Sequence, residues 1–234
     1  NQQLTLLLNH KITAADVRGD QVKALTAQDI QSGKKIVLTA PYFADATELG
    51  DLLPLTGTEY VTGAESQADT HELHAAEQAD PTNQQSYTMC LAMDYTPETE
   101  NLIEKPRDYN FWRNFVPDLS PPWPGKLLSL TYTHPSTLQP KTLGFHPGGN
   151  ATGDVLNLWN YRKLIDRNNF KPGTYPGDST IINWPQNDYF LGNLVDVSSE
   201  EFDRHVAQSK QLSLSLFYWL QTEAPRPDGG QGWA

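Results

Sequence analysis

The stretch Lys35-Ile36-Val37-Leu38-Thr39-Ala40-Pro41-Tyr42-Phe43-Ala44-Asp45-Ala46-Thr47-Glu48-Leu49-Gly50-Asp51-Leu52-Leu53 decides how this sequence is read. It opens on an apolar strand, passes through a turn of small and polar residues, and enters a short helix over residues 48–53 that Pro54 stops. Ahead of it lie short β-type runs at residues 4–8, 12–17 and 22–25, punctuated by Gly19-Asp20 and Ser32-Gly33. Gly and Asp between such runs are turn signals, so the first forty or so residues read as an antiparallel meander ending in the most apolar strand.

Working outward, residues 64–85 are polar, acidic and aperiodic, and read as a long excursion with a helical turn around residues 70–77. Residues 86–95 read as one strand, with Tyr87, Met89, Leu91 and Met93 alternating with smaller neighbours. Pro and aromatic residues crowd residues 96–124, where compact packed loops are expected. Further strands are expected at residues 127–132, 142–146 and 155–165, with Gly148-Gly149-Asn150 as the turn before the last. Ser198 with Glu201 three residues later is a capping-box spacing. Phe202, Val206, Leu212, Leu216, Trp219 and Leu220 then share one side of a 3.6-residue repeat that Pro225 and Pro227 end. The fold class is therefore α+β (mixed α/β), with antiparallel strands and a long C-terminal helix.

Charge narrows the function. Lys and Arg number 17 against 28 Asp and Glu, a net charge of -11, yet no Lys or Arg occurs in residues 36–104, which hold 13 acids. That segment carries the whole imbalance. It repels a phosphate backbone and argues against a nucleic-acid partner. No apolar run approaches the roughly 20 residues that span a bilayer, so no membrane span is expected. Cys90 is the single cysteine, which excludes an intrachain disulfide and a thiolate zinc site.

Local chemistry is sparse. His71 and His74 stand three apart, not at the four-residue spacing of the helical zinc motif, and no third ligand is identified, so no metal is expected. No Gly-x-Ser-x-Gly elbow occurs, and Cys90, in an apolar strand, reads as a buried packing residue. His134-Pro135 and His146-Pro147 are extended pairs that nothing singles out. The cluster Ile181-Ile182-Asn183-Trp184-Pro185-Gln186-Asn187-Asp188-Tyr189 joins flat rings to fixed amides, which suits a planar ligand or a sugar as well as it suits an aromatic loop packed on the core.

The strand, turn and helix of residues 35–53 resemble the second flavin-domain motif of bacterial FAD-dependent oxidoreductases with a glutathione-reductase-like FAD-binding fold. Tyr60-Val61-Thr62-Gly63-Ala64-Glu65-Ser66, the 183–189 segment, and Leu220-Gln221-Thr222-Glu223-Ala224-Pro225-Arg226-Pro227-Asp228-Gly229-Gly230 resemble further segments of the same group, in the same order. The resemblance implies FAD as cofactor, a small-molecule substrate, and hydride or electron transfer between the two. It implies residues 1–57 as a partial FAD-binding domain (meander, return strand and Asp-Ala-Thr motif), residues 58–197 as a substrate domain on an antiparallel sheet, and residues 198–234 as a helix and loop returning towards the FAD domain. Asp45, Ala46, Thr47 and Gly50 would lie near the cofactor, and Asn183, Trp184 and Asn187 on the substrate side. The family's opening Gly-x-Gly-x-x-Gly turn does not occur among these residues. The resemblance therefore also implies N- and C-terminal segments of the same polypeptide as partners, and a fragment inactive without them.

Two other classes answer the same composition. A secreted carbohydrate-binding or carbohydrate-cleaving domain would use Trp-rich loops and carboxylates. An interaction domain without chemistry would use neither.

Overall fold

Two turns shape the start of the chain. At Gly19-Asp20 the glycine takes φ 58°, a left-handed value that costs a residue with a Cβ. At residues 29–34 the Asp29 carboxylate accepts from the amides of Gln31 and Ser32, each at 2.8 Å. They join β1 (His10–Arg18), β2 (Gln21–Asp29) and β3 (Lys35–Leu38) into an antiparallel sheet of order β1-β2-β3. The computed structural model describes residues 4–97, 99–149 and 155–234, and the chain divides into two compact units, Asn1–Gln84 and Gln85–Ala234.

In the first unit the meander is as expected, with Leu25 paired to Leu38 and Ala27 to Ile36. Residues 4–8 form no strand, and Leu4, Leu6 and Leu8 are exposed. The helix expected at residues 48–53 lies later, as α1 (Leu52–Thr56). Pro54 does not stop it, because it sits in the first turn, where a missing N–H breaks no helical bond. Gly57 ends the helix instead. The excursion holds one helical turn, α2 (Gln67–Thr70), ahead of the expected position. Ser66 caps it, and His71, at φ 58°, ends it. Reciprocal backbone bonds between Ala64 and Asp80 close the base of the excursion.

The second unit is built on α5 (Ser199–Thr222), which starts at the expected capping box: Ser198 Oγ accepts from the Glu201 amide at 3.2 Å, and Glu201 Oε2 accepts from the Ser198 amide at 3.2 Å. The expected strand over residues 86–95 is broken into β4 (Tyr87–Thr88) and β5 (Leu91–Tyr95). Cys90 falls in the break and is exposed, a correction to its reading as a packing residue. Next come α3 (Tyr109–Asn114), the pair β6 (Thr131–Thr133) and β7 (Pro140–Thr142), α4 (Leu158–Tyr161) and β8 (Lys163–Ile165). β9 (Asp178–Ile182) and β10 (Asp188–Tyr189) complete the set. The antiparallel sheets are β5-β9-β8, β10-β4 and β6-β7.

Expected strands at residues 127–132, 142–146 and 155–165 are thus shortened, shifted or replaced. Asn157 explains the last: its amide bonds the backbone of His146 and Gly149 and its oxygen caps Trp159 N, turning an extended path into α4. The Gly148-Gly149-Asn150 turn falls partly outside the described residues.

α5 buries Leu212, Leu216, Trp219 and Leu220, interleaved with buried Ser209, Ser213 and Ser215 whose small side chains admit neighbouring backbone. Ser213 Oγ donates to Met89 O at 2.6 Å and accepts from Asn187 Nδ2 at 3.1 Å. Just beyond the helix, Glu223 takes Tyr109 Oη and, at 2.6 Å, Arg113 Nε, both from α3. Burial pushes the Glu223 carboxyl up, but these two bonds win and hold it below the usual carboxylate range.

A polar chain runs along the same face. Arg204 Nη2 lies 3.1 Å from His205 Nε2 and can only donate, so the imidazole proton sits on Nδ1 and faces Tyr189 Oη at 2.8 Å; Tyr189 in turn donates to Gln208 Oε1. Gly192 packs so closely on this ring that a Cβ there would fall 2.0 Å from His205 Cε1. Burial, then the Arg204 charge, hold the His205 pKa below its ordinary value, against a weaker opposing pull from Glu201. The unfolded chain therefore takes up the proton first, and stability falls as pH drops below about 6.5. Denaturant melts between about pH 7.5 and about pH 5 are expected to show this loss, and His205→Gln to flatten it.

Candidate functional site

The turn after β3 is organised by one carboxylate. Asp45 Oδ1 accepts from Thr47 N and Oδ2 from Leu52 N, each at 2.9 Å, while Thr47 Oγ1 accepts from Asp51 N at 2.8 Å. Backbone bonds from Thr47 and then Leu52 lower the Asp45 pKa, so the group is a fixed anion. Asp45, Ala46 and Thr47 are exposed, and the amides of Ala46 and Glu48 make no hydrogen bond among the described residues. Gly50, at φ 68°, closes the turn. All four residues expected near a cofactor thus share one preorganised turn. Beside it lies an open cleft of about 460 Å3 between the β1–β2 turn and the segment Ala40 to Phe43, with Lys23 and the exposed ring of Tyr42 in its walls.

The three residues expected on the substrate side also sit together, in the second unit, but differ in exposure. Trp184 and Asn187 are buried, and Asn183 is half-buried. Asn187 Oδ1 accepts from Trp184 N at 2.9 Å, closing a 3-10 turn over Pro185–Asn187. The Trp184 ring meets Phe145 at 5.8 Å. Trp112, Trp159, Trp184 and Trp219 are each at most 5 % exposed, so none is a flat surface platform of the kind that stacks sugars. Next in the chain, Asp188 is pushed up by burial, against a hydrogen bond from Thr88 and the charge of Arg162.

Sequence reasoning missed a cavity in the same unit. Tyr95 ends β5, Phe145 follows β7, Trp159 lies in α4 and Trp233 is next to last in the chain. All four line one cavity with Met93 and Phe217. Trp159 meets Tyr95 at 6.1 Å and Phe145 at 6.3 Å, and Trp233 meets the same two rings at 6.3 and 6.1 Å, every pair edge-on at 75–86°. Both indole N–H groups are buried without an acceptor among the described residues. No spacing links positions so far apart in the chain, so only the composition of the aromatic loops hinted at it.

His71 and His74 are exposed, and among the described residues no group of three His, Cys, Asp or Glu side chains could hold a metal ion. No helix is long and apolar enough to cross a membrane among the described residues.

Gly50 gives a direct check on the turn. An alanine there must hold a left-handed backbone with its Cβ 3.0 Å from Leu53 Cδ1. Gly50→Ala is expected to destabilise the first unit by about 1–2 kcal/mol in denaturant melts.

No curated protein and no solved structure matches the chain. A family model for the FAD dependent oxidoreductases matches residues 1–234, from end to end. The chain belongs to that family, and its cofactor is FAD.

Proposed function

We propose that the protein transfers hydride or electrons between a small organic substrate and FAD, with Asp45, Ala46, Thr47 and Gly50 as cofactor contacts. The observation that carries this reading is the self-satisfied turn. Asp45 spends both oxygens on the backbone, while the amides of the exposed residues Ala46 and Glu48 make no hydrogen bond among the described residues. Small side chains at Ala44 and Ala46 allow a ligand to reach them. This donor set fits an uncharged, hydrogen-bond-accepting part of FAD. It does not supply the pyrophosphate cradle of the family, because the 234 residues contain no Gly-x-Gly-x-x-Gly turn. The proposal assigns the pyrophosphate to a further segment of the same polypeptide.

Bound FAD supplies the two-electron chemistry, and the chain supplies position and electrostatics. In the second unit Asn183 is the polar group of its turn left half-exposed, and we assign it to substrate contact. Trp184 and Asn187 hold that turn in place. The substrate is a small organic molecule.

The protein expressed from its uninterrupted reading frame is expected to purify with the visible absorption of a flavin. Asp45→Ala is expected to lower bound flavin by about tenfold or more in affinity while circular dichroism is unchanged, since two backbone amides lose their acceptor and the turn opens. Purified intact protein that neither carries nor binds added FAD would sink the proposal.

A further inference from the structure

The four-ring cavity of the second unit has the form of a cation cage. Its rings close a circuit in which each tryptophan meets both Tyr95 and Phe145. The four rings, with neighbouring centroids 6.1–6.3 Å apart, line one shared cavity, and aromatic rings are the partners of a cation–π contact. Arg226 already lies over the Trp233 ring at 5.4 Å, so a cation uses one face of this wall.

Size and charge select the guest. About 40 Å3 of the cavity is open to the centre of a water molecule. Gathered as one sphere, that space has a free radius of about 3.5 Å once a water radius of about 1.4 Å is added. A trimethylated ammonium group fills such a space, and a drug-sized molecule does not enter it. Among the described residues no Lys or Arg lines the cavity, and its wall residues Met93, Asp94, Tyr95, Thr96, Thr99 and Asn101 belong to the segment without a base. An anion would find no counter-charge in that lining, while a cation meets the π systems of the rings. The unmatched indole N–H groups of Trp159 and Trp233 give an oxygen on the same guest a donor.

We propose that this cavity binds a small N-alkylated ammonium ion bearing an oxygen, the chemical class of choline. The cavity lies wholly within the second unit and the site needs no flavin.

Titration of the intact chain with choline chloride, followed by tryptophan fluorescence and calorimetry, tests it. Saturable binding is expected, at least about fivefold tighter than that of 3,3-dimethylbutan-1-ol, which has the same shape and hydroxyl without the charge. Tyr95→Leu and Trp233→Leu are each expected to weaken choline about fivefold or more while circular dichroism is retained. Equal affinity for the neutral isostere would make this a plain apolar cavity and overturn the proposal. No saturable response up to about 100 mM would overturn it as well. So would folded variants that bind choline as the unaltered chain does. The comparison of the two ligands on the unaltered chain decides the matter even where a variant fails to fold. None of these outcomes reads FAD, so failure here leaves the cofactor assignment standing.

Discussion

In the second unit one hydroxyl, that of Ser213, ties three parts of the chain together. It donates to Met89 O, in the break between β4 and β5, and accepts from Asn187, in the turn before β10. Asn187 passes the constraint on by accepting from the Trp184 amide. Trp184 packs on Phe145, and Phe145 is one wall of the four-ring cavity. Ser213, Asn187, Trp184 and Phe145 are buried and Met89 is half-buried, so leaving a buried polar group of this series unmatched costs about 1–3 kcal/mol. The position of the cavity wall therefore depends on a serine that touches no part of the cavity. The same logic explains why a helix as long as α5 carries serines on its packed face: a larger residue at 213 would push the β4–β5 break away.

The first unit works by a different device. Its buried apolar set is small, with Leu25, Ala27 and Leu52 at its centre, and its order comes from turn chemistry. Asp29 gathers the amides of one turn and Asp45 those of another. Carboxylates spent in this way are not catalytic groups. They hold backbone amides in fixed directions, the property on which the proposed cofactor contact rests.

Local signals were legible where chemistry is local. The meander follows from Gly19-Asp20, Ser32-Gly33 and the β-type runs around them, and the capping box at Ser198 and Glu201 fixes the start of α5. The small-residue turn ahead of residue 48 was readable for the same reason, whereas the helix read over residues 48–53 starts only at Leu52. What failed was everything that distant residues decide. The strand over residues 86–95 breaks because its two halves pair with different partners, β10 and β9, a choice no alternation pattern encodes. Helix α4 replaces a strand because Asn157 is held by His146 and Gly149. Pro54 was read as a stop although a proline in the first turn of a helix is no obstacle. The cavity was invisible because its four rings come from four separate elements.

Asn187 and Ser213 act as one joint. Amide hydrogen exchange on Asn187→Ala tests it most directly. Protection is expected to fall together, by about tenfold or more, across residues 182–189 and in the turns of α5 around Ser213, with β1 to β3 unchanged. Undiminished protection in both of those segments would contradict the account.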